Sequence, residues 1–366
     1  MGTKKQEMPV QAASLITGMP EIGWFCGYTP VEILLAAGFL PVRITGHAGS
    51  ISKADSCLHP NMCQYVRSAL DAALNGSYDR LRGAVFINSC DAMRRLYDVW
   101  RKHVDMDFTF LLDLPRGQTA ADVAYYGNEI EQLRDALSAH FSIDITDLHI
   151  KTAAGLYTNA RNAYNVLNDL RRETPSRLSG REAAAMAELF SGSPPGEWEA
   201  KTRALVTRKR KQPAPAGNRL RMVLDGSPAH NPEVVGFIED CGFDVVADNL
   251  CSGSRLFDVK TGKINDVTED LAAAYLAKPP CARMMRLDER AARIIDLTHD
   301  YNAHGVIHIS MKFCDTYLYD VPLLRERLIS AGIKSLFMES DGTLGSMGQQ
   351  KTRLEAFAEV IEGSAK

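Results

Sequence analysis

The 366-residue chain lacks most of the features that reveal a function at once. Eight cysteines are too few for a disulfide scaffold, and none are spaced Cys-x-x-Cys, which counts against a structural zinc site. No apolar run approaches the ~18 residues of a membrane span. A net charge of −3 gives no footing for nucleic acid or an anionic membrane surface as partner. There is no Gly-x-x-x-x-Gly-Lys-Ser/Thr loop, so the chain should not hydrolyse ATP itself. Nor is there a Gly-x-Gly-x-x-Gly after a strand, or a Gly-x-Ser-x-Gly elbow. The basic start, Met1 to Glu7, is followed by no apolar core and does not read as a signal peptide, so a cytoplasmic location is expected.

What remains is the composition of an ordinary globular protein, 45% hydrophobic and 24% charged. Its length exceeds what one compact core supports, so two domains are expected. Two stretches organise the chain. Gly83-Ala-Val-Phe-Ile-Asn-Ser-Cys90-Asp91 and Gly305-Val-Ile-His-Ile-Ser-Met-Lys-Phe-Cys314-Asp315 are both short apolar runs ending in Cys-Asp. Each reads as a buried parallel strand followed by a helix. Open α/β sheets bind ligands just past the carboxyl ends of such strands.

Other segments repeat in the same order. Pro30 to Val42 is answered by Pro232 to Val246, Pro60 to Arg67 by Pro279 to Arg286, and Phe108 to Pro115 by Ile333 to Asp341. Residues 120–210 carry apolar side chains at helical spacing and should form four helices. The basic tetrad Arg208 to Lys211, followed by a Pro/Ala-rich stretch to Gly217, reads as a solvated helix end before a linker. The expected fold is α/β, with two duplicated doubly wound parallel-sheet domains and a helical insert between them. The expected limits are 1–120, 121–217 and 218–366. Residues 1–20 have little periodicity and read as an arm or lead-in helix.

Cys90 and Cys314 at strand ends, and Cys63 at a helix start where backbone N–H groups favour a thiolate, form a candidate iron–sulfur set. Three thiolates leave one iron of a four-iron cluster open to a further ligand. Cys26, Cys57 and Cys281 stay undecided, while Cys241 and Cys251 read as small buried hydrophobes. His47, His59 and His308 are candidate acids or bases, although His308 lies within a strand core and reads as a hydrogen-bonded buried histidine.

The segments Trp24 to Val42, Cys63-Gln-Tyr-Val-Arg67, Asn88-Ser-Cys-Asp91 and Lys312-Phe-Cys-Asp315 resemble the 2-hydroxyacyl-CoA dehydratase and benzoyl-CoA reductase family. The resemblance extends from about Ile22 to Ile361, through the closing segment from Met338 to Phe357. It implies a [4Fe–4S] cluster between two α/β domains, with Cys63, Cys90 and Cys314 as its ligands. It further implies a heterodimer with a larger homologous subunit, an ATP-hydrolysing iron–sulfur activator protein, and an acyl-CoA substrate. In length the chain resembles the shorter, beta-type subunit.

The implied reaction is a radical elimination of water. One electron added to the thioester carbonyl of a 2-hydroxyacyl-CoA gives a ketyl radical anion that expels the hydroxyl. The β-proton then becomes acidic, and the electron returns at the end. A benzoyl-CoA reductase subunit is the nearest alternative. A double-cubane-cluster low-potential reductase acting as electron carrier is another: Cys26 sits where that branch has a cysteine, but Arg43-Ile-Thr-Gly46 lacks a second one expected there.

Overall fold

The computed structural model describes residues 18–363, apart from 47–48, 214–216, 218, 229–230, 263 and 341–346. Most of the expected N-terminal arm, together with His47 and Asp341, lies outside the described residues.

Two four-stranded parallel sheets form the scaffold. The first contains β1 (Glu21–Trp24), β2 (Leu40–Arg43), β3 (Leu81–Ile87) and β4 (Phe108–Leu112), in the order β2-β1-β3-β4. The second contains β5 (Leu220–Gly226), β6 (Phe243–Asn249), β7 (Gly305–Met311) and β8 (Ser335–Ser340), in the order β6-β5-β7-β8. The two orders are the same, so the duplication read from short motifs is a duplication of topology. Both sheets change direction between their first and third strands, which places a ligand crevice past the carboxyl ends of β1 and β3, and of β5 and β7.

Helices cover both faces. α1 (Val31–Ala36), α2 (Gln64–Leu74) and α3 (Asp91–His103) belong to the first sheet. α4 (Ala120–Phe141), α5 (Asp147–Arg172), α6 (Gly180–Phe190) and α7 (Pro195–Lys211) form the expected helical insert. Three of these four start at reciprocal caps: Thr119 with Asp122, Thr146 with His149, and Ser179 with Glu182 each satisfy two otherwise open backbone donors. The second half continues through α8 (Pro232–Asp240), α9 (Val267–Ala277), α10 (Leu287–Asp300), α11 (Asp315–Ser330) and α12 (Met347–Gly363).

The insert does not stand apart from the sheets. One apolar core runs from Ile22 and Leu34 through Tyr126, Tyr164 and Trp198 to Phe257, Leu271 and Tyr275. α9 has no counterpart in the first half, where only a short 3-10 turn at Ala54–Ser56 stands before α2. Its apolar side chains Leu271, Tyr275 and Leu276 are buried in that shared core. Burying Leu271 alone is worth about 2 kcal/mol by area bookkeeping, so α9 ties the second half to the first.

Buried polar contacts reinforce the tie. Arg161 Nη1 on α5 donates to Glu32 Oε1 on α1 at 2.7 Å, and the Tyr275 hydroxyl on α9 donates to Glu32 Oε2 at 2.8 Å. Three segments far apart in sequence therefore meet at one buried carboxylate. Arg283 Nη1 donates to Pro115 O at 2.7 Å, closing the two sheets around the crevice.

Candidate functional site

The carboxyl ends of the two sheets share a cavity of about 120 Å³. That is several times the room one water needs. Six of the eight cysteines line it: Cys26, Cys63, Cys90, Cys251, Cys281 and Cys314. Local folding explains each position. Cys90 follows β3 and Cys314 follows β7, both at the switch points of their sheets. Cys26 lies two residues past β1, and Cys251 two residues past β6. Cys281 lies in the loop that leads into α10.

The expected set Cys63, Cys90 and Cys314 is thus brought to one cavity, and each is the N-cap of a helix, α2, α3 and α11 respectively. The N-cap position aims open backbone N–H groups at the side chain, and the helix dipole favours negative charge there. Cys90 uses it directly: Met93 N donates to its Sγ at 3.4 Å. Phe313, just before Cys314, has φ +61, a left-handed conformation that is strained for a bulky residue. The bend turns the chain from β7 into α11 and sets the approach of Cys314.

The undecided thiols divide. Cys26 and Cys281 line the cavity, whereas Cys57 does not and lies beside Ser56, with Ser56 Oγ 3.4 Å from its Sγ. Cys251 is a correction. The sequence presents it as a small hydrophobe in a loop, yet it faces the cavity. One signal in the sequence does point there: it follows an apolar parallel strand as closely as Cys26 does. Cys241, at the end of α8, is not among the lining residues.

The thiols influence one another. Burial pushes the Cys63 thiol far up, and Cys314 and then Cys90 add to it by charge repulsion. Cys26 is pushed up to about 11 by burial first, with Cys281 and Cys251 contributing. Cys314 is likewise at about 11, mainly through burial, with Cys90 contributing. The coupling runs across the whole cavity, since Cys281 also pushes Cys90 up and Cys251 also pushes Cys314 up, so the six thiols form one cluster. Soft sulfur donors facing one pocket suit a multi-iron sulfide cluster, which brings its own positive charge to the thiolates. Among the described residues no His, Cys, Asp or Glu trio is arranged to hold a single metal ion.

Cations line the same cavity, and sequence reading misses them. Arg43, Arg255 and Lys278 are 5%, 4% and 3% exposed. Arg43 Nε donates to Phe25 O at 3.0 Å and its Nη1 to Cys251 O at 2.9 Å. Arg255 Nη1 donates to Pro280 O at 3.1 Å. Lys278 Nζ donates to Gly27 O at 2.5 Å and sits 4.2 Å from the Tyr28 ring centroid. Burial pulls the Lys278 ammonium down to about 8.

His308 is fully buried, and its Nδ1 lies 3.0 Å from both Asp225 Oδ2 and the Tyr317 hydroxyl. The expectation of a hydrogen-bonded core histidine holds. Burial pushes the Asp225 carboxyl up, but hydrogen bonding to His308, the charge of Arg290 and the Tyr317 hydroxyl outweigh it and hold the group well below the usual carboxylate range. His59 is exposed, and its Nδ1 accepts from the nearby Asn61 amide.

A family model described as 2-hydroxyglutaryl-CoA dehydratase, D-component, matches residues 26–361, which include all six cavity thiols. The chain is 26% identical over 352 residues to the (R)-phenyllactyl-CoA dehydratase beta subunit of Clostridium sporogenes, covering 94% of this chain and 92% of that one. It is 24% identical over 351 residues to the lactoyl-CoA dehydratase beta subunit of Anaerotignum propionicum, with the same coverage. It is also 22% identical over 344 residues to a benzoyl-CoA reductase subunit of Thauera aromatica, covering 92% and 89% of the two chains.

Proposed function

This chain belongs to the 2-hydroxyglutaryl-CoA dehydratase D-component family, and we propose that it is the iron–sulfur subunit of an activator-dependent radical 2-hydroxyacyl-CoA dehydratase. The observation that carries the reading is the convergence of Cys63, Cys90 and Cys314, each a helix N-cap, on one cavity between the two sheets. These three would hold a [4Fe–4S] cluster, which when bound supplies single electrons of low potential. The protein's part is to present three thiolates at helix N-termini, to bury them, and to close the cavity with contacts such as Arg283 to Pro115 O.

Relatives named as beta subunits support a partner subunit, for which we propose a larger homologous chain, and a chain without a phosphate-binding loop is consistent with a separate ATP-hydrolysing activator. Exposed Phe313, next to Cys314, and exposed Tyr319, five residues beyond it, are apolar surface of the kind a partner covers. No helix among the described residues is long and apolar enough to cross a membrane. The reaction is tested by anaerobic assay of the co-purified complex with an activator and ATP. Turnover of a 2-hydroxyacyl-CoA is expected, and turnover of benzoyl-CoA alone would move the assignment to ring reduction.

One observation favours a second reading. Cys26, Cys251 and Cys281 line the same cavity as the first trio, giving six thiols where a single cluster needs three. Six ligands fit a double-cubane cluster, and the chain would then be a low-potential reductase or electron carrier. Iron counting separates the two, at about four against about eight irons per chain.

A further inference from the structure

Three buried cations in the cavity wall lack an acidic partner, and the half-buried Arg283 on the same lining likewise bonds only to carbonyls, of Pro115, Asn88 and Leu114. Among the described residues, Arg43, Arg255 and Lys278 make no ion pair with a carboxylate. Their hydrogen bonds go to neutral carbonyls, of Phe25, Cys251, Pro280 and Gly27. The Nε of Arg255 has no hydrogen-bond partner although it is buried. Asp225 acts on Arg255 through space, and Asp258 is coupled to Lys278 in the same way. Asp225 is occupied by His308 and Tyr317, and Asp258 pairs with Arg293. Elsewhere three buried arginines have a carboxylate, Arg161 with Glu32, Arg171 with Asp248 and Arg290 with Asp320, while buried Arg221 is held by four backbone carbonyls and faces no cavity of thiols.

Buried charge without a partner is strongly unfavourable, so three such cations on one wall call for negative charge in the space they face. That wall carries Cys26, Cys251 and Cys281. Arg43 Nη2 lies 3.9 Å from Cys251 Sγ, Lys278 is anchored on Gly27 next to Cys26, and Arg255 is anchored on Pro280 next to Cys281. Each cation is thus tied to the immediate surroundings of one of the three thiols.

We propose that Arg43, Arg255 and Lys278 are a built-in counter-charge for an anionic metal–sulfide unit held on the Cys26, Cys251 and Cys281 side of the cavity. The inference rests on the six-thiol reading above and goes beyond it by naming the residues that hold the charge and set the potential. They are positioning residues: they ligate nothing, and their effect runs through the charge of the site. Without that unit the protein carries unbalanced positive charge. With it, the same charge makes the site easier to reduce and slower to lose iron.

The test uses the full chain, reconstituted anaerobically with ferrous iron and sulfide, as wild type, Lys278→Met and Lys278→Arg. Lys278→Met is expected to release iron to a chelator at least about tenfold faster than wild type. An EPR-monitored redox titration should show a potential lower by about 59 mV, a tenfold change for a one-electron couple. Lys278→Arg, which keeps the charge, should restore both, and the metal-free Lys278→Met protein should unfold no earlier than wild type. Wild-type iron release and potential in Lys278→Met would overturn the counter-charge. So would failure of Lys278→Arg to restore a Lys278→Met defect, which would mark a packing role. An iron count unchanged in Cys251→Ala would instead overturn the six-thiol reading itself, and this inference with it.

Discussion

Arg43, the last residue of β2, reaches across to the other sheet and donates its Nη1 to the carbonyl of Cys251 at 2.9 Å, while its Nε holds Phe25 O at 3.0 Å. One guanidinium fork therefore joins a loop of the first half to a loop of the second. Its carbon also lies 5.0 Å from the Trp24 ring centroid. Lysine has one compact charged head and cannot reproduce the fork. Arg43→Lys should lower the stability of the metal-free protein by about 1–3 kcal/mol, because a buried carbonyl loses its donor. Urea unfolding measures this, and an unchanged midpoint would show that the bridge contributes nothing.

The Glu32 site should be more sensitive. Glu32 is fully buried and is held by Arg161 and Tyr275 from two other helices. Arg161→Met leaves a buried carboxylate with only the tyrosine, and breaking a buried pair in this way costs about 3–5 kcal/mol. Loss should emerge as cooperative destabilisation of the whole chain, since the site lies in the core shared by both halves. A variant with separate unfolding steps for the halves would contradict that.

Acid should act through Asp225. Its folded-state carboxyl is held below the unfolded value, so its contribution is fully present above the unfolded range, near pH ~4, and is lost as pH falls below it. Wild type should therefore lose stability more steeply between about pH 4 and pH 2 than Asp225→Asn, whose amide does not titrate there. Urea midpoints of the two proteins at about pH 5 and about pH 3 provide the comparison. Parallel losses would remove Asp225 from the account.

Much of the fold is legible in the sequence because strands and helices here follow strong local signals. The apolar runs ending at Ile87 and Met311 are β3 and β7, and Cys63, Cys90 and Cys314 meet at one cavity. What escapes depends on distance in sequence. α9 has almost no amphipathic pattern, because the shared core surrounds it on several sides. Cys251 carries one weak mark, its place just after an apolar strand, and only the pairing of β5 with β6 brings its loop beside the sheet's switch point. Arg43, Arg255 and Lys278 carry no local mark that separates them from surface charges. Their burial comes from contacts such as Lys278 to Gly27, 251 residues apart, which no local pattern encodes.

The central claim is that Cys63, Cys90 and Cys314 hold an iron–sulfur cluster between the two sheets. The most direct test is iron and acid-labile sulfide per chain after strictly anaerobic purification, for wild type, for each of the three Cys→Ala variants and for Cys57→Ala. The account predicts a brown wild type with at least about four irons per chain. It also predicts marked loss in each of the three variants, and no loss in Cys57→Ala, whose thiol lies off the cavity. A folded wild type without iron, or full iron in Cys63→Ala, Cys90→Ala and Cys314→Ala, would contradict it.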